Sequence, residues 1–167
     1  MLGRFFPAEM AKSVYHIDYD KFWDKGIRGL IFDIDNTLAA FDVPKPDEKV
    51  RGLLNKLTEK GFAIAFLSNN KKERVVNFSE GLDIPYIWKA GKPKLKGINR
   101  ILQMLGLPKK QVILIGDQIF TDCWVGQRAG VYTILTKPIA LRDEWQVKLK
   151  RYPEKLVLRA YALQRRD

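Results

Sequence analysis

The residues best equipped for chemistry in this chain form the run Asp33-Ile34-Asp35-Asn36-Thr37-Leu38, directly after the apolar stretch Gly29-Leu30-Ile31-Phe32. That stretch reads as a buried strand whose end carries two carboxylates. Side chains alternate along a strand, so Asp33 and Asp35 share one face while Ile34 points away. Neighbouring carboxylates repel unless a cation sits between them or one is protonated. Such a pair is what a Mg²⁺-assisted phosphoryl transfer through an aspartyl-phosphate needs.

A second acidic site lies far downstream. The apolar run Gln111-Val112-Ile113-Leu114-Ile115 leads into Gly116-Asp117-Gln118-Ile119-Phe120-Thr121-Asp122, again a strand delivering acids at its end. Asp117 and Asp122 can complete a hard oxygen site, since Mg²⁺ takes few carboxylates and keeps several waters. Two smaller pieces lie between: Phe66-Leu67-Ser68-Asn69-Asn70 after a strand, and Gly91-Lys92-Pro93-Lys94 before a helix.

The elements that must position these groups alternate. A strand over 28–35 is followed by a helix that Pro46-Asp47-Glu48 opens, with proline and acids in its first turn as the macrodipole prefers. Val50, Leu53, Leu54 and Leu57 line one face of that helix. A strand over 62–67, a helix from Lys71 to about Glu80, a short strand near 85–88 and a helix over 93–105 follow. A strand over 112–115, a helix from Thr121 to Ala129 and a strand over 131–135 close the series. Strands separated by helices imply an α/β fold with a parallel sheet covered on both faces. Ligands of such sheets bind beyond the carboxyl ends of the strands, where all four pieces fall.

In this order the pieces resemble the haloacid dehalogenase-like (HAD) phosphatases: DxDxT, a hydroxyl after a strand, a lysine followed by proline, then GDxxxxD. The resemblance implies a Rossmann-like HAD fold, with a single domain over 1–167 and a catalytic core over about 28–135. It makes Asp33 the nucleophile and Asp35 the acid that protonates the leaving oxygen and then takes a proton from water. The cofactor it implies is Mg²⁺, held by the Asp33 side chain, the Asp35 main-chain carbonyl and Asp117, with Asp122 as ligand or orienter. Ser68 and Lys92 would hold the phosphoryl group, Thr37 would fix the loop or donate to phosphate, and Asn36 and Asn69 are loop formers with a polar role in binding. An Asp at position 35 points to a phosphatase among the branches of this family.

Many HAD phosphatases carry a cap domain after the first motif or between the second and third. Here 39–61 holds only a loop and a helix, and 70–91 only a helix and a short strand, so a capless, open site is expected. The placement extends to the capless YqeG-type subfamily through Phe6-Pro7, Ser13-Val14-Tyr15-His16-Ile17, Ile27-Arg28-Gly29, Asp35-Asn36-Thr37-Leu38 and Gly116-Asp117-Gln118. That subfamily is related to phosphatidylglycerophosphate phosphatases, which implies a lipid phosphate as substrate. The alternative is a phosphatase of a sugar phosphate, a nucleotide or a phosphorylated macromolecule. A basic binding module on a retired scaffold is disfavoured, because every catalytic position holds a competent residue.

Composition bounds these readings. At 167 residues, with 46% hydrophobic and 29% charged residues, the chain is the size of one well-buried domain and is not of disordered type. The apolar runs are of strand length, too short for a membrane span. No secretory pattern occurs from Met1 to Asp24, so a cytoplasmic location is expected. The single cysteine, Cys123, can form no internal disulfide and reads as a packed thiol, and the lone His16 reads as structural. The net charge of +11 and pI near 9.8 suit an anionic partner or a solvated basic face. From Lys89 to Lys110 there is no acid, and this stretch contains the third motif. The C-terminal segment mixes Lys148, Lys150, Arg151, Lys155, Arg159, Arg165 and Arg166 with Trp145, Tyr152 and Tyr161. It fits an interfacial helix on anionic lipid, or a helix packed on the sheet at least as well. The tip Leu2-Gly3-Arg4-Phe5-Phe6-Pro7 fits a bilayer interface or local packing. Peripheral contact with the inner face of an anionic membrane is therefore expected over nucleic acid, with the oligomeric state left open.

Overall fold

The computed structural model describes residues 2–140 and 145–164, apart from the side chains of 2, 4, 145–152 and 164. Its strands are β1 (Glu9–Ala11), β2 (Gly29–Phe32), β3 (Ala63–Leu67), β4 (Tyr86–Ile87), β5 (Val112–Gly116) and β6 (Tyr132–Thr136). They form one sheet in the order β1-β6-β5-β2-β3-β4, and every neighbouring pair is parallel. The helices are α1 (Tyr19–Asp24), α2 (Glu48–Glu59), α3 (Lys72–Ser79), α4 (Leu95–Leu105), α5 (Trp124–Ala129) and α6 (Trp145–Gln164). The protein is thus the expected α/β, Rossmann-like sheet flanked by helices.

Alternation along the central strands feeds two cores. Leu30 and Phe32 of β2 face one layer with Phe22 of α1, Val50, Leu54 and Leu57 of α2, and Val75 and Phe78 of α3. Ile31 faces the other with Ile98, Ile101 and Leu102 of α4 and Val125 and Ala129 of α5. β2 is buried at every position because both of its faces are covered. α2 starts where expected: the Asp47 carboxylate accepts the Val50 N–H at 2.8 Å.

Three elements differ from expectation. The first strand ends at Phe32 rather than Asp35; Asp33 still donates its N–H to Ile115 O at 2.9 Å, and the chain then turns at Asn36, whose φ is +62°. The helix expected from Thr121 begins earlier, as a π-turn over Ile119–Cys123 in which Gln118 O accepts from both Asp122 and Cys123. Turns of this width recur at functional sites because they re-aim side chains. The segment before residue 28 holds β1 and α1, which no periodicity announced: β1 has three residues and exists through its pairing with β6.

The termini close a third, smaller core. Phe5 packs edge-on against Phe120 and Trp124 at 5.2 and 5.1 Å between centroids, and Phe6 packs on Tyr161 at 5.3 Å. Val157 and Tyr161 of α6 are buried there. Of the two expectations for the N-terminal tip and the C-terminal helix, local packing is the one found for Phe5, Phe6, Val157 and Tyr161. The side chains of Leu2, Arg4, 145–152, Arg165 and Arg166 lie outside the described residues. Among the described residues, no helix is long and apolar enough to cross a membrane.

Chain order runs from β2 outward through β3 to β4 and then returns to β5 on the other side of β2. The crevice of such a sheet opens where that order reverses, at the carboxyl ends of β2 and β5. Asp33 and Asp117 stand on either side of it.

Candidate active site

Asp33, Asp117 and Asp122 are buried and bring carboxylate oxygens within 4.8 Å of one another. A cluster so dense needs positive charge. Lys92 supplies some: its Nζ donates to Asp33 Oδ1 and Asp122 Oδ1, each at 2.6 Å, and to the Leu67 carbonyl at 2.8 Å. Those three bonds use all the donors of an ammonium.

Local sequence explains how each group arrives. Lys92 follows Gly91, whose φ of +72° is a conformation that glycine adopts without strain. Asn69 grips the same loop from both sides. Its Nδ2 donates to Lys92 O at 3.0 Å, and its Oδ1 accepts the Lys92 N–H at 2.7 Å. Asn69 therefore braces the lysine loop, a more specific task than loop formation. At the other motif, a Cβ on Gly116 would overlap the Asp122 carboxyl group, so glycine is what lets the carboxylate fold back over the strand end. Gln118 N–H then holds Asp122 Oδ2 at 3.1 Å.

Burial and charge set the protonation of the cluster. Burial pushes the Asp33 carboxyl up, and the Asp122 and Asp35 carboxylates push the same way; the Lys92 ammonium opposes them, leaving it at about 7. For Lys92, burial favours the neutral amine, but Asp122 and Asp33 outweigh it and hold the ammonium well above the ordinary lysine range. Lys92 bridges two of the three carboxylates, Asp33 and Asp122, and the third, Asp117, stands within reach of both. The cluster's donors are hard oxygens, the set Mg²⁺ takes. The residues present thus fit the ion that the sequence implied.

Asp35 stands outside the three-carboxylate cluster and is turned elsewhere. Its Oδ2 accepts from Asn70 Nδ2 at 2.9 Å and its Oδ1 from Arg74 Nε at 3.0 Å. Arg74 also donates to the carbonyls of Pro44 and Ala40 at 3.2 and 3.3 Å, tying α3 to the loop after the first motif. Sequence reasoning missed this arginine, and nothing local marks it: it sits on the polar side of an ordinary amphipathic helix. Ser68 is buried and its Oγ accepts the Asn70 N–H at 3.1 Å, which leaves its own hydrogen to donate. Thr37 is buried, and among the described residues its hydroxyl has no hydrogen-bond partner, which leaves it able to receive a ligand. Asn36 carries the left-handed turn, and its carbonyl accepts the Ile139 N–H at 3.0 Å.

A second omission lies on α6. Glu154 is buried, and its carboxylate accepts the Ile119 N–H at 2.8 Å, so the C-terminal helix anchors the π-turn that aims Asp122. Cys123 is buried as expected.

Residues 38–130 match the haloacid dehalogenase-like hydrolase family. The chain is 38% identical over 161 residues to "Probable phosphatase YqeG" of Bacillus subtilis (strain 168), covering 96% of this chain and 94% of that protein. It is 26% identical over 147 residues to the chloroplastic phosphatidylglycerophosphate phosphatase 1 of Chlamydomonas reinhardtii, covering 83% of this chain and 55% of that protein. In fold, it matches a haloacid dehalogenase-like hydrolase structure described from Bacteroides fragilis with a TM-score of 0.56 at 16% identity, over 72% of this chain and 93% of the other. An uncharacterized protein from Listeria monocytogenes serotype 4b gives 0.57 at 19% identity, over 71% and 84%. The chain belongs to the haloacid dehalogenase-like hydrolases, and within them it is a phosphatase.

Proposed function

We propose that the protein is a Mg²⁺-dependent phosphomonoesterase that works through an aspartyl-phosphate on Asp33 and takes a lipid phosphate of the phosphatidylglycerophosphate type. The observation that carries the mechanism is the Asp33–Lys92–Asp122 triad beside Asp117 at the mouth of the β2–β5 crevice. A carboxylate oxygen of Asp33 attacks phosphorus, and the ester P–O bond breaks. Asp35 gives its proton to the departing oxygen. A water then attacks the same phosphorus, Asp35 takes a proton from it, and the bond to Asp33 breaks to release phosphate. Arg74 and Asn70 fix the direction of the Asp35 carboxyl through both steps.

Lys92 stabilises charge on the transferring group, and Ser68 and Thr37 donate hydroxyl hydrogens to it. The Asp33 and Asp117 carboxylates and the Asp35 main-chain carbonyl would hold Mg²⁺, with Asp122 as ligand or orienter. The bound ion supplies the positive charge that lets an anionic nucleophile approach an anionic phosphate.

The substrate reading is supported by the similarity to the Chlamydomonas phosphatidylglycerophosphate phosphatase, of which the chain spans 55%. It is also supported by a mouth with no cap domain inserted between strands: among the described residues, 33–62 adds a loop and α2, and 68–111 adds α3, β4, α4 and short turns. A phosphate on a bulky body fits such an opening. The test is phosphate release from phosphatidylglycerophosphate in mixed micelles, set against sugar phosphates and nucleotides. Wild type should prefer the lipid, Asp33→Asn should release nothing, and Asp35→Asn should be slower by about 10²–10⁴-fold. An active Asp33→Asn protein would sink the mechanism. Preferred turnover of a soluble sugar phosphate would sink the substrate.

A further inference from the structure

We propose that the rim of the catalytic mouth docks on an anionic bilayer interface, with Phe41, Val43, Trp88 and Ile139 entering the headgroup region. The proposal rests on the lipid-phosphate reading above and adds the surface that presents the substrate. These four side chains are each between 38 and 51% exposed. Scattered exposed hydrophobics are ordinary; what distinguishes these is their place. They follow β2, β4 and β6, and because every strand pair is parallel, these loops share the edge from which Asp33 and Asp117 emerge. Two main-chain bonds tie them to the site: Ile139 N–H to Asn36 O at 3.0 Å, and Lys89 N–H to Asn70 O at 2.9 Å. Asn70 in turn holds Asp35.

Charge selects the partner. The ammonium groups of Lys72 and Lys89 lie 6.0 and 5.9 Å from the Trp88 ring centroid. Exposed Lys71 directly precedes α3 and exposed Lys94 directly precedes α4, with Glu73 of α3 as the nearby acid in sequence. The loop with Phe41 and Val43, tied to α3 through Arg74, carries Asp42 and Lys45, so the basic groups gather by Trp88. A tryptophan flanked by lysines suits the headgroup level, where the ring is half-immersed and the ammoniums meet lipid phosphates.

The acid-free stretch 89–110, which contains the third motif, does not stay at the mouth along its length. α4 has 11 residues and carries the chain about 16 Å away from the mouth. Lys109 and Lys110 therefore sit at the far edge, before β5, and Lys92 is buried in the site. The basic groups at the mouth come from separate loops that no run of sequence collects.

The test uses the whole protein and co-sedimentation with vesicles of phosphatidylglycerol and phosphatidylcholine, against phosphatidylcholine alone. Wild type should bind only the anionic vesicles and leave them as salt rises. A Phe41→Ser/Trp88→Ser/Ile139→Ser variant should bind at least about tenfold more weakly, with melting and turnover of p-nitrophenyl phosphate unchanged, since none of the three touches the carboxylates. Quenching by brominated lipid should fall in Trp88→Phe, although three other tryptophans remain among the chain's four. Undiminished binding of the triple variant, no binding to anionic vesicles, or preference for RNA over vesicles would overturn the proposal. Hydrolysis of phosphatidylglycerophosphate in micelles without vesicle binding would remove the docking face and leave the substrate standing. Vesicle binding that the triple variant loses, without lipid hydrolysis, would keep the docking face and remove the substrate.

Discussion

Replacing Lys92 by methionine tests the electrostatic account of the site. Methionine keeps most of the volume, so the change removes an ammonium rather than opening a cavity. It deletes three hydrogen bonds and leaves Asp33 and Asp122 facing each other without their shared cation. Removing one partner of a buried ion pair costs about 3–5 kcal/mol, a large share of the roughly 5–15 kcal/mol that holds a domain together. The cost should depend on pH, and Asp33 fixes the sign. Its carboxyl sits at about 7 in the fold against 3.8 as the ordinary value. In metal-free wild type the folded state therefore binds a proton that the unfolded state has lost. Stability should fall as pH rises between those values, by at most about 1.4 kcal/mol per unit, and level off above. Without Lys92 the Asp33 carboxyl rises further, so the variant keeps losing stability where wild type has levelled off. The deficit should thus be smallest below pH 7 and widen above it by up to about 1.4 kcal/mol per unit. Urea denaturation in EDTA at about pH 6 and about pH 9 measures it, and added Mg²⁺ should narrow it by replacing the missing cation. A deficit unchanged between the two pH values would refute the reasoning and make Lys92 a packing residue.

Other outcomes follow from named contacts. Glu154→Ala orphans the buried Ile119 N–H and should cost about 1–3 kcal/mol; amide exchange over the π-turn at 119–123 should quicken, and kcat should drop although Glu154 lies on the last helix. Arg74→Ala should lower kcat while leaving Mg²⁺ affinity near wild type, because Arg74 positions the Asp35 carboxylate and does not touch the three-carboxylate cluster. An unchanged kcat would make Arg74 a loop tie only. Cys123 should resist thiol reagents in the folded protein and react at once after unfolding, because burial, aided by the nearby Asp122, Glu154 and Asp117 carboxylates, pushes its thiol up.

The sequence carried the fold wherever burial imposes a pattern. Apolar runs of strand length between helical faces located β2, β3, β5, β6 and α2 to within a few residues, because both sheet faces are covered and the pattern is strong. Asp33, Lys92, Asp117 and Asp122 were picked out by the order of four short motifs at strand ends and helix starts, and the fold brings these four side chains together. What failed to show were contacts whose partners lie far off in the chain. Arg74 reaches Asp35 across 39 residues, and Glu154 reaches Ile119 across 35. A charged residue on a helix looks the same in sequence whether it faces water or a distant carboxylate. β1 was illegible for the same cause, since three residues have no measurable period and their strand geometry is dictated by β6.

The pairing of β1 with β6 also sets a timetable for making the protein. Ala8 donates its N–H to the Thr133 hydroxyl, 125 residues later in the chain, and Glu9 sits opposite Ile134. At roughly 5–20 residues per second on the ribosome, the leading strand waits about 6–25 s for its partner to be synthesised. During that interval Phe5 and Phe6 have none of the aromatic neighbours that later enclose them, for Phe120, Trp124 and Tyr161 are also made late. Once β6 docks on β5, its outer edge stays unpaired until β1 returns, an opening for intermolecular strand pairing. A chaperone that shields the first dozen residues should therefore raise the yield of active protein, and slower translation should lower it, with no change in the stability of the finished fold.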